Sequence, residues 1–246
     1  MRLDHFLVLQ KGFRSRTQAK DFILKGAVEV FENGLWKKIL KPSFSCSEDL
    51  KVRVLDVKDV DWVSRSGKKL DEAIKRLNLN FDQKTCLDLG QSTGGFTQAL
   101  LRHSAAQVVG VDIGHEQLSE DLKSDPRVVS FEGVDAREVE FLNKDWRFDF
   151  LAADLSFISI LKVLPSVLRL NLEDAQALLL IKPQFEVGKD LVGKGGLIEG
   201  AELHLNCQKS IFNALKEWSV RVLDYFPSAV KGKNGNQEFF CYIEFK

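Results

Sequence analysis

The sequence predicts an α/β protein, a doubly wound and mainly parallel sheet preceded by a small α+β unit. Three observations carry this reading. Seven apolar segments recur beyond residue 80, most of them continuous rather than alternating, which is the pattern of strands buried on both faces. Segments with helical spacing separate most of them and complete βαβ units. The charge also changes sign along the chain. Residues 1–60 hold twelve Lys and Arg against eight acids, whereas residues 81–160 hold seven against fourteen. Such asymmetry within a chain of zero net charge suggests two units with different partners, although a solvated surface produces the same pattern.

In chain order, Leu3, Phe6 and Leu7, then Ala19, Phe22 and Ile23, recur at helical spacing, with Ser15 as N-cap of the second helix. Ala27 to Phe31 alternates and Asn33-Gly34 marks a tight turn, so a hairpin follows, and Leu50 to Leu55 adds a strand. The acidic, irregular stretch Asp56 to Asp61 reads as a connection, giving domains at 1–60 and 61–246. Beyond it, Lys68 to Leu77 is helical. Strands follow at Cys86–Leu89, Gln107–Val111, Val128–Phe131, Phe148–Ala153, Ala177–Ile181, Val220–Tyr225 and Glu238–Phe245. The chain has neither an internal repeat nor a low-complexity tract.

Composition narrows the function classes. The 246 residues are 44% hydrophobic and 28% charged, an ordinary globular balance. No apolar stretch approaches the ~18–20 residues of a membrane span, and Phe6 to Leu9 is too short for a signal-peptide core. Cys46, Cys86, Cys207 and Cys241 are scattered without a CxxC pair, and the histidines are dispersed. A cytosolic protein without a metal or a disulfide framework is expected.

The strongest local signal is Leu87-Asp88-Leu89-Gly90-Gln91-Ser92-Thr93-Gly94-Gly95-Phe96, an acid near the end of a strand, a Gly-rich turn and a helix start. Glycines there permit a tight bend and close approach of a ligand to backbone N–H groups. This is not the GxGxxG pyrophosphate pattern, and an acid before the turn would repel a diphosphate but suit a cation. Asp88 can accept from an ammonium group, Asp112 at the end of the next strand from a ribose diol, and Asp135 from an adenine amine. Together these describe S-adenosylmethionine (AdoMet), with contacts along Gly90, Ser92, Thr93, Gly94, Gly95 and Phe96. Ile113 and Ala136, beside the later acids, complete the expected pocket. A nucleotide-free α/β turn with incidental acids is the alternative.

A second signal lies at later strand ends. Asp154 and Lys182 each follow an apolar run, where ligands sit in doubly wound sheets, so the two should converge; a structural ion pair is the bland alternative. Lys69 opens the helix before the sheet and Glu238 starts the last strand. A Lys–Asp–Lys–Glu cluster suits activation of a weakly acidic hydroxyl. A neighbouring cation and partial burial lower a lysine's pKa, and carboxylates orient it.

These residues carry a family resemblance. Arg2-Leu-Asp4, Ser15-Arg-Thr-Gln-Ala19, Gly26-Ala-Val-Glu-Val30 and Lys41-Pro-Ser43 resemble an S4 RNA-binding domain. Val63-Ser-Arg65, Lys69-Leu70, Leu87 to Phe96, Asp125-Pro-Arg-Val-Val129 and Asp154-Leu-Ser-Phe-Ile-Ser159 resemble the TlyA (haemolysin A) family. So do Lys182-Pro-Gln-Phe-Glu-Val-Gly188, Val192-Gly-Lys-Gly-Gly196 and Gly235-Asn-Gln-Glu-Phe239. That family joins an S4 domain to an FtsJ-like, Rossmann-type ribosomal RNA 2′-O-methyltransferase. The resemblance implies that Lys69, Asp154, Lys182 and Glu238 form its catalytic tetrad, that AdoMet is the cofactor, and that ribosomal RNA or a ribosomal subunit is the partner. The short amino end and the end at Lys246 resemble shorter members, which implies a cytidine ribose in large-subunit RNA. Four positions depart from the family pattern: His115-Glu116 replaces Tyr-Gly, Gln237 replaces Val, and Gln91 replaces a small residue. The first bears on the cofactor-pocket wall.

The S4 resemblance gives the basic head a role. Arg14 and Arg16 lie at a helix start, where guanidinium groups and backbone N–H groups share a phosphate, and Arg2 and Lys41 extend that surface. Phe157, next to Asp154, either stacks on an extruded base or is an ordinary buried aromatic. Base methylation is disfavoured because no Asn/Asp-Pro-Pro-Tyr loop follows Ala153. A non-catalytic RNA-binding assembly factor would fit the loss of a tetrad residue, and none is lost. The membrane lysin of the family's historical name would require an amphipathic basic helix or a secretion signal that the sequence does not show.

Overall fold

A computed structural model of the chain describes residues 1–55, 62–172, 174–198, 200–232 and 235–245. It divides into two compact units, Met1–Asp61 and Trp62–Lys246. The expected connection Asp56 to Asp61 lies outside the described residues.

In the first unit, helices α1 (Leu3–Lys11) and α2 (Arg16–Leu24) precede a three-stranded sheet of β1 (Val28–Glu32), β2 (Leu35–Lys38) and β3 (Val52–Val54), ordered β2-β1-β3. Ser15 Oγ accepts from Gln18 N at 3.2 Å and starts α2. Asn33 and Gly34 both take positive φ, 51° and 81°, as the two-residue turn of a right-twisted hairpin requires. Leu3, Phe6, Leu7, Ala19 and Ile23 meet Val28, Val30 and Val52 in one apolar cluster.

Asp4 is buried beneath this surface and accepts from Arg2 Nε at 3.0 Å, from Arg2 Nη2 at 2.8 Å and from Arg16 Nη2 at 3.3 Å. Hydrogen bonding from Arg2, against the cost of burial, holds the Asp4 carboxyl down at about 2. A depressed acid contributes stability above its unfolded pKa and loses it as the folded group protonates.

The second unit opens with α3 (Arg65–Leu77). The helix starts at Ser64, earlier than expected, so Lys69 sits a full turn inside it rather than at its opening. The sheet comprises β4 (Thr85–Leu89), β5 (Gln107–Asp112), β6 (Val128–Glu132), β7 (Phe150–Ala153), β8 (Gln176–Ile181), β9 (Arg221–Pro227) and β10 (Phe239–Glu244). Its order is β6-β5-β4-β7-β8-β10-β9. The first five strands are parallel, and β10 runs antiparallel between β8 and β9. β9 therefore runs parallel to β8, reached from it through a helix, and only the step from β9 to β10 is an antiparallel return.

Period-two alternation sorts the strands between two apolar layers. Leu87 and Leu89 face one layer with Ile211 and Leu215, whereas Cys86 faces the other with Leu70, Phe96 and Leu100. The layers are covered by α3, α4 (Gly95–Arg102) and α8 (Ala201–Glu217), with the short α5 (Glu120–Lys123), α6 (Leu164–Val167) and α7 (Pro183–Glu186). Several expected crossover helices are shorter or 3₁₀. Glu138, at φ −120°, breaks the 3₁₀ segment Ala136–Lys144, and Pro165 restarts the chain as α6 after Ile160–Lys162. Among the described residues no helix is long and apolar enough to cross a membrane.

Asp4→Asn is expected to lower the opening free energy of residues 1–55 by about 2 kcal/mol, the scale of a charged hydrogen bond lost from a buried site. Amide hydrogen exchange at pH 7 measures this, with residues 62–245 unchanged. The difference between parent and variant should vanish as pH falls from 3.8 toward about 2, where the native carboxylate itself protonates.

Candidate active site

Two cavities adjoin at the carboxyl edge of the parallel strands. One, of about 540 Å³, is lined by Lys69, Asp154, Lys182 and Glu238 together with Ser156, Gln184 and Phe185. The other, of about 590 Å³, is lined by Asp112, Ile113, Asp135 and Ala136 among apolar residues such as Val111, Leu155 and Ile158. Gly90, Ser92, Asp154, Ser156 and Phe157 line both.

The four charged side chains form two pairs. Lys69 Nζ donates to Glu238 Oε2 at 2.6 Å, with both groups buried. Lys182 Nζ stands 2.6 Å from Asp154 Oδ1 and donates to Ser156 Oγ at 2.8 Å. Each lysine thus has a carboxylate as its close charged neighbour, where the sequence reading set a second cation beside one of them. Glu238 has room because residue 232 is glycine; a Cβ there would come within 2.5 Å of Glu238 Oε1. Asn236 fixes the approach to β10. Its Oδ1 accepts from Ile198 N at 2.9 Å, and its Nδ2 donates to Gly196 O at 2.7 Å.

The Gly-rich turn divides its labour. Gly90, at φ 84°, crosses so close to β7 that a Cβ would lie 2.6 Å from Asp154 O. Ser92 and Thr93 line the first cavity. Gly94, Gly95 and Phe96 do not reach either cavity, contrary to expectation. Gly94 caps α4, Gly95 lies against Ser64 Oγ and Ser66 Oγ where a Cβ would collide, and Phe96 stacks on Phe240 in the core.

Asp88 is also corrected. Alternation along β4 turns it to the α4 side, fully buried, where it accepts from Thr97 Oγ1 at 2.7 Å. Its Oδ1 has no hydrogen-bond partner among the described residues, and burial pushes the carboxyl up to about 7. It lies beneath the turn rather than in a cavity wall. Gln91 is buried beside it, donating to Thr97 Oγ1 at 2.9 Å and accepting from Ser130 Oγ at 2.5 Å. Its amide fills the space where a Cβ at Gly110 would stand.

Asp112 accepts from Ser92 N at 2.9 Å and from Gly114 N at 2.7 Å, one bond on each oxygen. Asp135 caps its own segment and receives Arg137 Nε and Nη2, and this neighbour holds the carboxyl below the usual range. The adenine contact expected of Asp135 therefore competes with an existing ion pair. His115 rests over Gly133 and lines neither cavity, so its departure from the family pattern leaves both walls intact.

Phe157 is 91% exposed at φ 66°, which removes the buried-aromatic alternative, and its ring centroid lies 5.3 Å from that of Phe185. In the first unit, Arg2 and Arg16 meet on Asp4. Sequence reasoning missed Ser156, Gln184, Phe185 and Glu186. All four lie inside the two quoted motifs that end β7 and β8, which was the available signal. Glu186 is mostly buried, which raises its carboxyl, and it links those motifs. Its Oε2 accepts from Ser159 Oγ at 2.5 Å and its Oε1 from Ile160 N at 2.9 Å. Among the described residues no group of three or more His, Cys, Asp or Glu could hold a metal ion.

This arrangement can be set beside known proteins. The profile of the FtsJ-like methyltransferase family matches residues 62–245. The chain belongs to that family. Over the longer span, the 16S/23S rRNA (cytidine-2′-O)-methyltransferase TlyA of Mycobacterium tuberculosis is 37% identical over 242 residues, covering 98% of this chain and 89% of that one. Hemolysin A of Brachyspira hyodysenteriae is 35% identical over 248 residues, covering 99% of each chain. A solved structure described as a hemolysin, from Streptococcus thermophilus, superposes with a TM-score of 0.74 at 30% identity, covering 99% of this chain and 88% of that one. The protein is thus an FtsJ-like methyltransferase related to TlyA along its whole length.

In this methyltransferase the Glu186 bridge ties the chain end of β7 to that of β8. Glu186→Ala is expected to leave the melting temperature within a few degrees yet to lower the single-turnover rate of methyl transfer about tenfold or more, as loosened catalytic geometry does. Glu186→Gln, which keeps one acceptor for Ile160 N and can donate to Ser159 Oγ, should recover most of that rate.

Proposed function

We propose that the protein transfers a methyl group from AdoMet to the 2′-hydroxyl of a cytidine ribose in ribosomal RNA, acting in the cytoplasm. The observation that carries this reading is the pair of buried ion pairs, Lys182–Asp154 and Lys69–Glu238, in one cavity that shares a wall with a second, nucleoside-sized cavity. The curated relatives named as rRNA (cytidine-2′-O)-methyltransferases support the substrate.

The second cavity fits AdoMet in its chemistry. Apolar residues offer walls for a planar base, Asp112 has lone pairs left for a ribose diol, and Gly90 lets a ligand approach the turn. When bound, AdoMet supplies an electrophilic methyl group on a sulfonium. The protein's own groups do the rest. Lys182, held by Asp154 and Ser156, orients the ribose hydroxyl; with its own proton passed to Asp154, the neutral amine takes the hydroxyl proton as oxygen attacks in line. Lys69, fixed by Glu238, holds the ribose side of the cavity. Positioning two reactants in line removes much of the barrier, so geometry matters as much as basicity. Exposed Phe157, at the wall shared by both cavities, stacks on the extruded base. The first unit, read as an S4-like RNA-binding domain, docks the substrate.

Lys182→Ala should fold and bind AdoMet and RNA yet lose ~10²–10⁴-fold in single-turnover transfer of labelled methyl to rRNA. Asp154→Ala should behave alike, with the double variant little worse than either single one. Lowered melting temperature with intact turnover per folded molecule would instead identify a structural ion pair. Mapping 2′-O-methyl groups in rRNA with and without the protein locates the nucleotide and the subunit.

Asp112→Ala should weaken AdoMet binding in isothermal titration, because a hydrogen-bond acceptor for the ribose is lost. Unchanged affinity would remove Asp112 from the cofactor site.

A further inference from the structure

The cavity that holds the two ion pairs also contains a hydrogen-bonding group with nothing to bond. Gln184, in the first turn of α7, lines that cavity just beyond Lys182. Its side chain is half-buried, and its Oε1 is buried without a hydrogen-bond partner among the described residues. A carbonyl buried and left unpaired gives up its hydration and gains nothing in return. Such an atom beside a ligand cavity points to a donor that arrives with the ligand.

Most neighbouring polar groups are already committed. Ser64 Oγ and Ser66 Oγ bond to each other at 2.5 Å, and Ser156 Oγ accepts from Lys182 Nζ at 2.8 Å. Asn236 spends both ends of its amide on Ile198 N and Gly196 O. The four charged side chains satisfy one another in pairs. Gln184 differs from all of these, because its amide has capacity left.

The surroundings of that amide define the group it would meet. Phe185 follows it on α7, and Phe157 stands with its ring centroid 5.3 Å from that of Phe185; both line the same cavity. Aromatic rings offer a face to a flat ligand, and an amide beside them can meet its edge. An amide carries an acceptor and a pair of donors side by side. Cytosine presents the complement on its Watson–Crick edge, an exocyclic amine next to the N3 acceptor. Uracil places a carbonyl where cytosine has the amine, and a proton on N3.

We infer that Gln184 contacts the base edge of the target nucleotide, Oε1 accepting from the exocyclic amine of cytosine and Nε2 donating to N3. The terminal torsion of a glutamine is soft, so the amide turns to meet the base as it enters. Turned over, the same amide would suit uracil, and for that reason the amine itself is what the test removes. A site built to bond a substrate N–H discriminates against an analogue that lacks it, since its own polar group is then unpaired. The inference rests on the RNA 2′-O-methyltransferase reading and adds to it a residue that reads the base.

The test uses the full chain, AdoMet with a labelled methyl group, and rRNA transcripts that differ only at the methylated nucleotide. That nucleotide is cytidine, uridine or the riboside of pyrimidin-2-one, which lacks the exocyclic amine. Single-turnover rates are measured over a range of RNA concentration. In the parent, loss of the amine should slow transfer about tenfold, the scale of one hydrogen bond to a buried group. Gln184→Met, which removes both bonds, should slow transfer to cytidine by at least that factor and no longer distinguish cytidine from the amine-free base. Gln184→Glu sets a second acceptor against N3 of cytosine but can accept from N3–H of uracil, so the cytidine-to-uridine ratio should shift toward uridine. Melting curves and AdoMet affinity should match the parent in both variants. The inference is overturned if Gln184→Met keeps the parental preference for the amine, or if Gln184→Glu leaves the cytidine-to-uridine ratio unchanged. A parent that methylates cytidine and the amine-free base alike loses the role of Gln184 and keeps 2′-O-methyl transfer. A parent that methylates no rRNA loses both readings.

Discussion

Strands β4, β7 and β8 run parallel, with Leu89 beside Ala153 and Ala153 beside Leu179, so their chain ends leave the sheet along one edge. That shared edge is what the site depends on. Asp154 N donates to Leu89 O at 2.9 Å and Gly90 N to Val111 O at 2.9 Å, so the first turn is bonded to strands on both sides. The chain ends consequently crowd together, and the Gly-rich turn, the Asp154 loop and the Lys182 loop become walls of adjoining spaces. A ligand in one cavity and a ligand in the other would meet where the walls coincide, at Gly90, Ser92, Asp154, Ser156 and Phe157.

The charges at this edge are costly to keep. Lys69, Glu238, Lys182 and Asp154 have side chains only 4–13% exposed, and a buried ion pair rarely improves on a well-packed apolar substitute. Stability therefore gives no reason for two such pairs in one cavity, whereas the proposed chemistry on a hydroxyl does. The head makes a different compromise. Asp4 is buried, but Arg2 and Arg16 remain about half exposed, so the desolvation cost falls on one carboxylate and both guanidiniums stay hydrated. The first arrangement fits the reactive site we propose, and the second is a joint between α1 and α2.

Much of this was legible in the sequence because it is local. Continuous apolar runs gave the buried strands, Ser15 the start of α2, and Asn33-Gly34 the hairpin. The order of the last two strands was not legible, since nothing in the β9 or β10 segment records that β10 slides between β8 and β9 in the opposite direction. Side-chain direction was equally hidden. Asp88 and Asp112 both lie at strand ends before turns, yet alternation sends Asp88 under α4, while Asp112 ends its strand and reaches the cavity. Glu186, and the pairing of Arg2 and Arg16 on Asp4, depend on residues brought together from distant or separate elements. Gly94, Gly95 and Phe96 are contiguous with the turn in the sequence, but a turn followed by a helix rotates successive residues away from any one surface.

The same crowding appears one strand further along. Gln91 leaves the turn after β4 and lays its amide against the backbone of β5 at Gly110, anchored by Thr97 and Ser130. The two positions fill a single volume between them. A side chain at 110 would push the Gln91 amide out of its place and away from Thr97 and Ser130, whereas beside a short residue at 91 it would displace no such amide. Their substitutions are thus epistatic: the cost of enlarging 110 depends on what occupies 91.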